Sequence, residues 1–193
     1  MPFTTDMQKE RIPIRLFIAL NFSNAVKAQI TEILQKVRAG SLQGRFVDEE
    51  QLHITLEFLG EIPPGKLPVL KKVLDGLSSG PFALSLTKVG FFRRPEGNTY
   101  WLGVEHSDAL FRLQAQLHKS LLAHGFSLEE RKFTPHITLG RNVLLRDDFR
   151  TDELANAVKE TRIDIDKVDL MLSEFINRRP KYTVLHTKRL QQT

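Results

Sequence analysis

Two stretches decide how this chain is read: Gln51–Gly60, QLHITLEFLG, and Lys132–Arg141, KFTPHITLGR. Each sets His-Ile-Thr-Leu inside a short apolar run with a glycine close behind. Successive side chains of a strand alternate between faces, so residues i and i+2 look the same way. His53 therefore shares a face with Thr55, and His136 with Thr138, while Ile54, Leu56, Ile137 and Leu139 anchor the opposite face in a core. A core needs neither an imidazole nor a hydroxyl. Building the pair twice, with the same isoleucine between and the same leucine after, asks for a chemical reason.

The sequence around the two copies alternates helix and strand without a regular rhythm. Ile14–Asn21, IRLFIALN, is an apolar run bounded by Pro13 and Ser23 and predicts a buried strand. Ser23 or Asn24 then caps a helix from about Ala25 to Val37, closed by Gly40. The first motif predicts a strand over 52–59 that Gly60 ends. Pro63-Pro64 opens a second helix with Leu67, Leu70, Val73, Leu74 and Leu77 on one face. Phe82–Val89 and Asn98–Glu105 predict a hairpin, and Leu110, Leu113, Leu117 and Leu121 mark a third helix from Asp108 to Ala123. The second motif predicts a strand over 136–140, followed by a short helix over 152–159 and strands near 163–175 and 182–188. Neighbouring strands close enough for hairpins argue for an α+β fold with largely antiparallel sheets.

The chain has 193 residues, of which 41% are hydrophobic, enough for a proper core in one domain spanning 1–193. It contains no cysteine, which excludes disulfides, thiolate metal sites and cysteine nucleophiles. Met1–Arg11 has no apolar leader segment, and no run reaches the ~20 apolar residues that span a bilayer. The expectation is a soluble cytoplasmic protein with no membrane association. A net charge of +5 favours polyanionic partners.

Paired histidines serve several chemistries. Zinc sites usually recruit three or four ligands, and neither HxH nor HExxH accompanies this pair; Glu57, four residues from His53 and so expected on its strand face, is the one nearby carboxylate. No GxSxG nucleophile signature is present. Metal-free acid/base catalysis remains, with one imidazole neutral and the other protonated near neutral pH. That division of labour suits phosphoester cleavage: one ring activates water, the other protonates the departing oxygen, and each threonine hydroxyl donates to a phosphoryl oxygen.

The two H-x-T-x motifs, within LHITLEFLG and PHITLGR, resemble those of the 2H phosphoesterase superfamily, and most closely its RNA 2′,3′-cyclic phosphodiesterases, historically called 2′-5′ RNA ligases. The opening Arg15–Leu20, Phe46-Val47 and the late Leu170–Ser173 followed by Tyr182 are similar to the same branch. The resemblance implies two pseudo-symmetric lobes with flanking helices, each bringing one motif to a central groove. It implies metal-independent, cofactor-free hydrolysis of an RNA-terminal 2′,3′-cyclic phosphate to a 2′-phosphomonoester, with 2′-5′ ligation as the reverse. His53 would then be the proton donor and His136 the proton acceptor, with Thr55, Thr138 and Arg141 on the phosphate and a monomer acting on RNA or oligonucleotide ends. Strict alternation turns Arg141 away from His136 unless the strand ends or bends at Gly140. Alternative readings are a phosphodiesterase for small cyclic phosphates or 2′-5′ oligonucleotides, a non-catalytic RNA-binding module, and a metal hydrolase.

The other side chains invite plainer readings. His106, His118, His124 and His186 lack the threonine partner; His118 and His124, on or at the end of a helix, are expected to meet solvent or the helix dipole. Phe58, Phe91, Phe92, Tyr100 and Trp101 are candidates for base stacking or, more simply, core. Arg93, Arg94, Arg178 and Arg179 are candidate guides for an RNA backbone or solvated loop charges.

Overall fold

The computed structural model describes residues 12–177 and 179–191; Met1–Arg11, read above for an apolar leader, and Arg178 lie outside them. Nine strands form one antiparallel sheet: β1 (Ile14–Asn21), β2 (Ser41–Phe46), β3 (His53–Ile62), β4 (Phe82–Phe92), β5 (Asn98–Val104), β6 (His136–Leu145), β7 (Arg162–Ile165), β8 (Lys167–Ile176) and β9 (Arg179–Arg189). The helices are α1 (Asn24–Ala39), α2 (Leu67–Asp75), α3 (Asp108–Ala123) and α4 (Ala155–Glu160). Strand order is β7-β4-β5-β6-β3-β1-β8-β9, with β2 also on β6. The sheet thus has two halves that meet where β3 touches β6, each half holding one motif strand.

Local sequence sets the helices. Ser23 Oγ accepts from the Val26 amide and Ser107 Oγ from the Leu110 amide, each capping an otherwise unpaired helix end. Behind the caps, Ile30, Ile33, Leu34 and Val37 of α1 and Leu110, Leu113, Leu117 and Leu121 of α3 recur at helical spacing and are all buried. They pack on Leu20, Ile54, Leu102, Ile137 and Leu139, so one apolar core underlies both halves. Burying a leucine or isoleucine fully contributes ~1.5–3 kcal/mol, and this layer fixes which face of β3 and β6 remains for polar work. The face away from it carries a small cluster of Phe17, Ala19 and Met171 with Tyr182 against them.

Four expectations need correcting. Gly60 does not end β3; it adopts a positive φ of 69° and the strand runs on to Ile62. The second motif strand extends past Gly140 to Leu145 because β2 pairs with its later half. The apolar run near 163–175 is two strands parted at Asp166, β7 completing one half of the sheet and β8 the other. Ser41–Phe46 was not foreseen as a strand at all.

Candidate active site

The contact between the halves is one residue pair wide: Ile54 faces Ile137 across antiparallel β3 and β6, and both are fully buried. That single register determines the site. With Ile54 opposite Ile137, His53 falls opposite Thr138 and Thr55 opposite His136, and all four turn to the face that the isoleucines leave. Diagonal neighbours on such a pair are roughly 7–8 Å apart, somewhat less at Cβ, a separation that one phosphate between the ring tips can bridge. A half-turn about the pair exchanges the two motifs.

Each imidazole is held in the same way. His53 Nδ1 lies 2.6 Å from the carbonyl of Gln51, and His136 Nδ1 lies 2.7 Å from the carbonyl of Thr134. A carbonyl only accepts, so Nδ1 carries the hydrogen in both rings and Nε2 is left for chemistry. His53 Nε2 is 3.1 Å from Thr55 Oγ1. Phe17 and Tyr182 flank the His53 ring, at centroid distances of 5.0 and 5.5 Å, and Phe92 meets the His136 ring edge-on at 5.3 Å.

Burial lowers the pKa of His53 to about 4, and the charges of His136, Lys27 and Arg141 push the same way against the Gln51 carbonyl. Burial also lowers that of His136, with Arg131 and Arg141 adding to the effect and the Thr134 carbonyl opposing it. Both rings are therefore weaker bases than a free imidazole. Arg141 bears on both histidines and on Tyr182, so it stands at the groove.

Its position there follows from a bulge. Tyr100 pairs with Gly140 but Trp101 with Thr138, which leaves Leu139 unopposed. Leu139 and Gly140 are consequently both buried and the alternation restarts one residue late, turning Arg141 outward with His136 and Thr138. The strand bends, as the placement of Arg141 required, but it does not end. The first motif repeats the device: Ile18 pairs with Glu57 and Ala19 with Thr55, leaving Leu56 unopposed. Glu57 is thereby removed from the face of His53, correcting the expectation that they share it. It is 8% exposed and takes hydrogen bonds on Oε1 from Gln114 Nε2 at 2.7 Å and from His118 Nδ1 at 2.6 Å. Among the described residues no three His, Asp or Glu side chains gather as a metal-ligand group.

His118 keeps a side chain that is 37% exposed, and it also belongs to the Glu57 network. The plainer readings hold for His106, paired with Asp108, His186, paired with Asp75, and His124, bonded to the Ser120 carbonyl. Tyr100 is core, and Trp101 lies near His136, closely covering Gly90. Phe91 is exposed, as are Arg93 and Arg179. Past the Ile54–Ile137 pair the edge of β3 is open, and a cavity of about 220 Å³ begins there, lined by Thr55, Glu57, Phe58, Phe92, Arg94 and His136 among others. Sequence reasoning passed over Glu57, Gln114 and His118 as a set; the trace they leave is a carboxylate within an apolar strand run and two polar residues four apart on one helix face.

The profile of the 2′-5′ RNA ligase superfamily matches residues 24–180 of this chain. An RNA 2′,3′-cyclic phosphodiesterase from Thermotoga maritima is 39% identical over 131 residues, covering 66% of this chain and 70% of that protein. Another from Methanothermobacter thermautotrophicus is 30% identical over 183 residues, 92% of this chain and 99% of that protein. Among solved structures, E. coli LigT in its apo form superposes with a TM-score of 0.79 at 27% identity, covering 94% of this chain and 99% of that one.

Proposed function

From the premise that this chain belongs to the 2′-5′ RNA ligase superfamily, we propose that it hydrolyses RNA-terminal 2′,3′-cyclic phosphates to 2′-phosphomonoesters, using its two histidines and no metal. The observation that carries this reading is the register of Ile54 with Ile137, which sets two identical His-x-Thr pairs on one face around a space for a single phosphate.

The resemblance to the family makes His53 the proton donor and His136 the acceptor, and the proton bookkeeping closes with those roles. The anionic diester entering between the rings raises the pKa of His53 and favours its imidazolium. His136 stays neutral; its Nε2 takes a proton from water as the water oxygen bonds to phosphorus. The bond from phosphorus to the 3′-oxygen breaks, and that oxygen receives the Nε2 proton of His53. Each ring ends with the other's starting protonation, and exchange with solvent resets them. Protonation of His53 also ends its acceptance of the Thr55 hydroxyl at Nε2: the new Nε2–H is available to the departing 3′-oxygen, and the threonine hydrogen is freed for a phosphoryl oxygen. Thr138 makes the matching bond from the other strand, and Arg141 supplies fixed positive charge as the phosphoryl oxygens gain electron density. With an RNA 5′-hydroxyl attacking in place of water, the same steps join ends through a 2′-5′ linkage; run backwards, they cleave that linkage to a cyclic phosphate and a free 5′-hydroxyl.

The test is a product analysis on RNA ending in a 2′,3′-cyclic phosphate, with and without chelator, for the parent protein and for His53→Ala and His136→Ala. The expected result is a 2′-phosphate product, turnover indifferent to chelator, and its loss in both variants. Full activity in both variants would end the proposal.

A further inference from the structure

The Glu57 network lies outside the chemistry just described, yet it opens into the same groove. Glu57 is over nine-tenths buried, and Gln114 and His118 both bond to Oε1. No described residue bonds to Oε2, and that atom is not among those sealed from solvent, so it faces the cavity that Glu57 lines. A carboxylate oxygen that an otherwise buried side chain turns to a cavity is an acceptor that an entering ligand can address.

We propose that this cavity is a guanine-recognition subsite and that Glu57 is its specificity-determining residue. The inference rests on the phosphodiesterase reading above and names the substrate class that the site prefers. The volume of about 220 Å³ is smaller than the ~300–1,000 Å³ of a drug-sized pocket and suits one base. Phe58 and Phe92 line it, and the Arg131 guanidinium lies 5.2 Å over the Phe58 ring, giving the flat apolar and cationic surfaces on which bases stack. Arg94, Arg131 and Lys132 add positive charge for the phosphates of the chain.

Base identity follows from the donors a carboxylate oxygen needs. The Watson–Crick edge of guanine presents N1–H and the N2 amino group side by side. Adenine and cytosine place a ring-nitrogen lone pair beside their amino group, and uracil flanks its single N–H with two carbonyls. Only guanine brings two adjacent N–H donors to the one open oxygen of Glu57, where cytosine and adenine bring a single amino group and uracil one flanked N–H. Gln114 and His118 hold the other oxygen, so the carboxylate cannot turn away.

The experiment compares kcat/KM for guanosine, adenosine, cytidine and uridine 2′,3′-cyclic phosphates, and calorimetric binding of the four nucleoside 2′-monophosphates. The parent protein is expected to favour guanosine over uridine by about tenfold or more in both measurements, as an added hydrogen bond to a charged acceptor supplies. Glu57→Gln should bring the ratio close to one. Equal rates and affinities in the parent protein, or an unchanged ratio in Glu57→Gln, would overturn the subsite while leaving the hydrolase standing. Selective binding of guanosine monophosphate with no hydrolysis of any cyclic phosphate would keep the subsite and sink the hydrolase. Should the variant misfold, the binding series on the parent protein decides alone.

Discussion

Each catalytic imidazole donates through Nδ1 to a carbonyl two residues earlier, an arrangement that leaves Nε2 as the working atom before any substrate arrives. General acid and base groups of this kind contribute about 10²–10⁴-fold each, and His53→Ala and His136→Ala should each lower kcat by that order. Replacing Thr55 or Thr138 by valine removes one donor to the developing charge and should cost about 10²-fold in kcat; steady-state rates on a nucleoside cyclic phosphate check both. The pH dependence is more discriminating. Free His53 is held at about 4, so the fraction in its acid form falls as pH rises above that value, and kcat/KM should decline toward neutrality. In the complex the phosphate raises the same group, so the alkaline limb of kcat should lie at higher pH than that of kcat/KM. Coincident limbs in the two profiles would show that bound phosphate leaves His53 untouched.

At the scale of single elements, the bulges at Leu56 and Leu139 decide which side chains reach the groove. Arg141→Ala should lower kcat/KM by about 10²-fold, and Arg141→Lys should restore only part of that, because the planar fork of arginine makes paired bonds that an ammonium does not. Kinetics of the two variants on the same substrate settle the comparison. The sequence reads well as far as Thr138, since alternation puts His53 with Thr55 and His136 with Thr138, but that the two pairs share one face follows from the β3–β6 register, which no local pattern shows. It misleads after that point, because a bulge arises from the pairing of Trp101 and Tyr100 on a neighbouring strand and leaves no mark in the strand that bears it. Glu57 was misassigned for the same reason. Ser41–Phe46 escaped notice because its burial is low on both faces, so no alternation announces it; it exists because the late half of β6 offers it an edge. The helices were legible because caps and apolar spacing are local.

For the whole molecule, the histidines tie stability to pH. Unfolded histidine titrates near ~6.5, while His53 in the fold is held at about 4. Between these values the unfolded chain binds a proton that the folded chain refuses, so acidification through this window weakens the fold. The loss attributable to His53 should be on the order of 2 kcal/mol by about pH 5. Denaturant titrations of the parent protein and His53→Asn at about pH 7 and about pH 5 should show a shallower fall in the variant. The joint itself is equally exposed to test. Ile137→Ala removes a fully buried side chain and should cost ~2–5 kcal/mol. Its cost in turnover at a temperature where the variant is still folded should exceed that of Leu117→Ala, an equally buried change on α3, because only the former loosens the register between the motifs.

A site that is superimposable on itself after rotation holds no instruction about which ester oxygen departs and which enters. Such an instruction resides where the two copies differ: in the rings around each imidazole, Phe17 and Tyr182 against Phe92, and directly after the repeated tetrapeptide, Glu57-Phe58 in one strand and Gly140-Arg141 in the other. The vectorial sense of the reaction is then written in these surroundings rather than in the imidazoles. Transplanting one dipeptide for the other, with every histidine and threonine untouched, is the substitution through which the catalyst would face the other way.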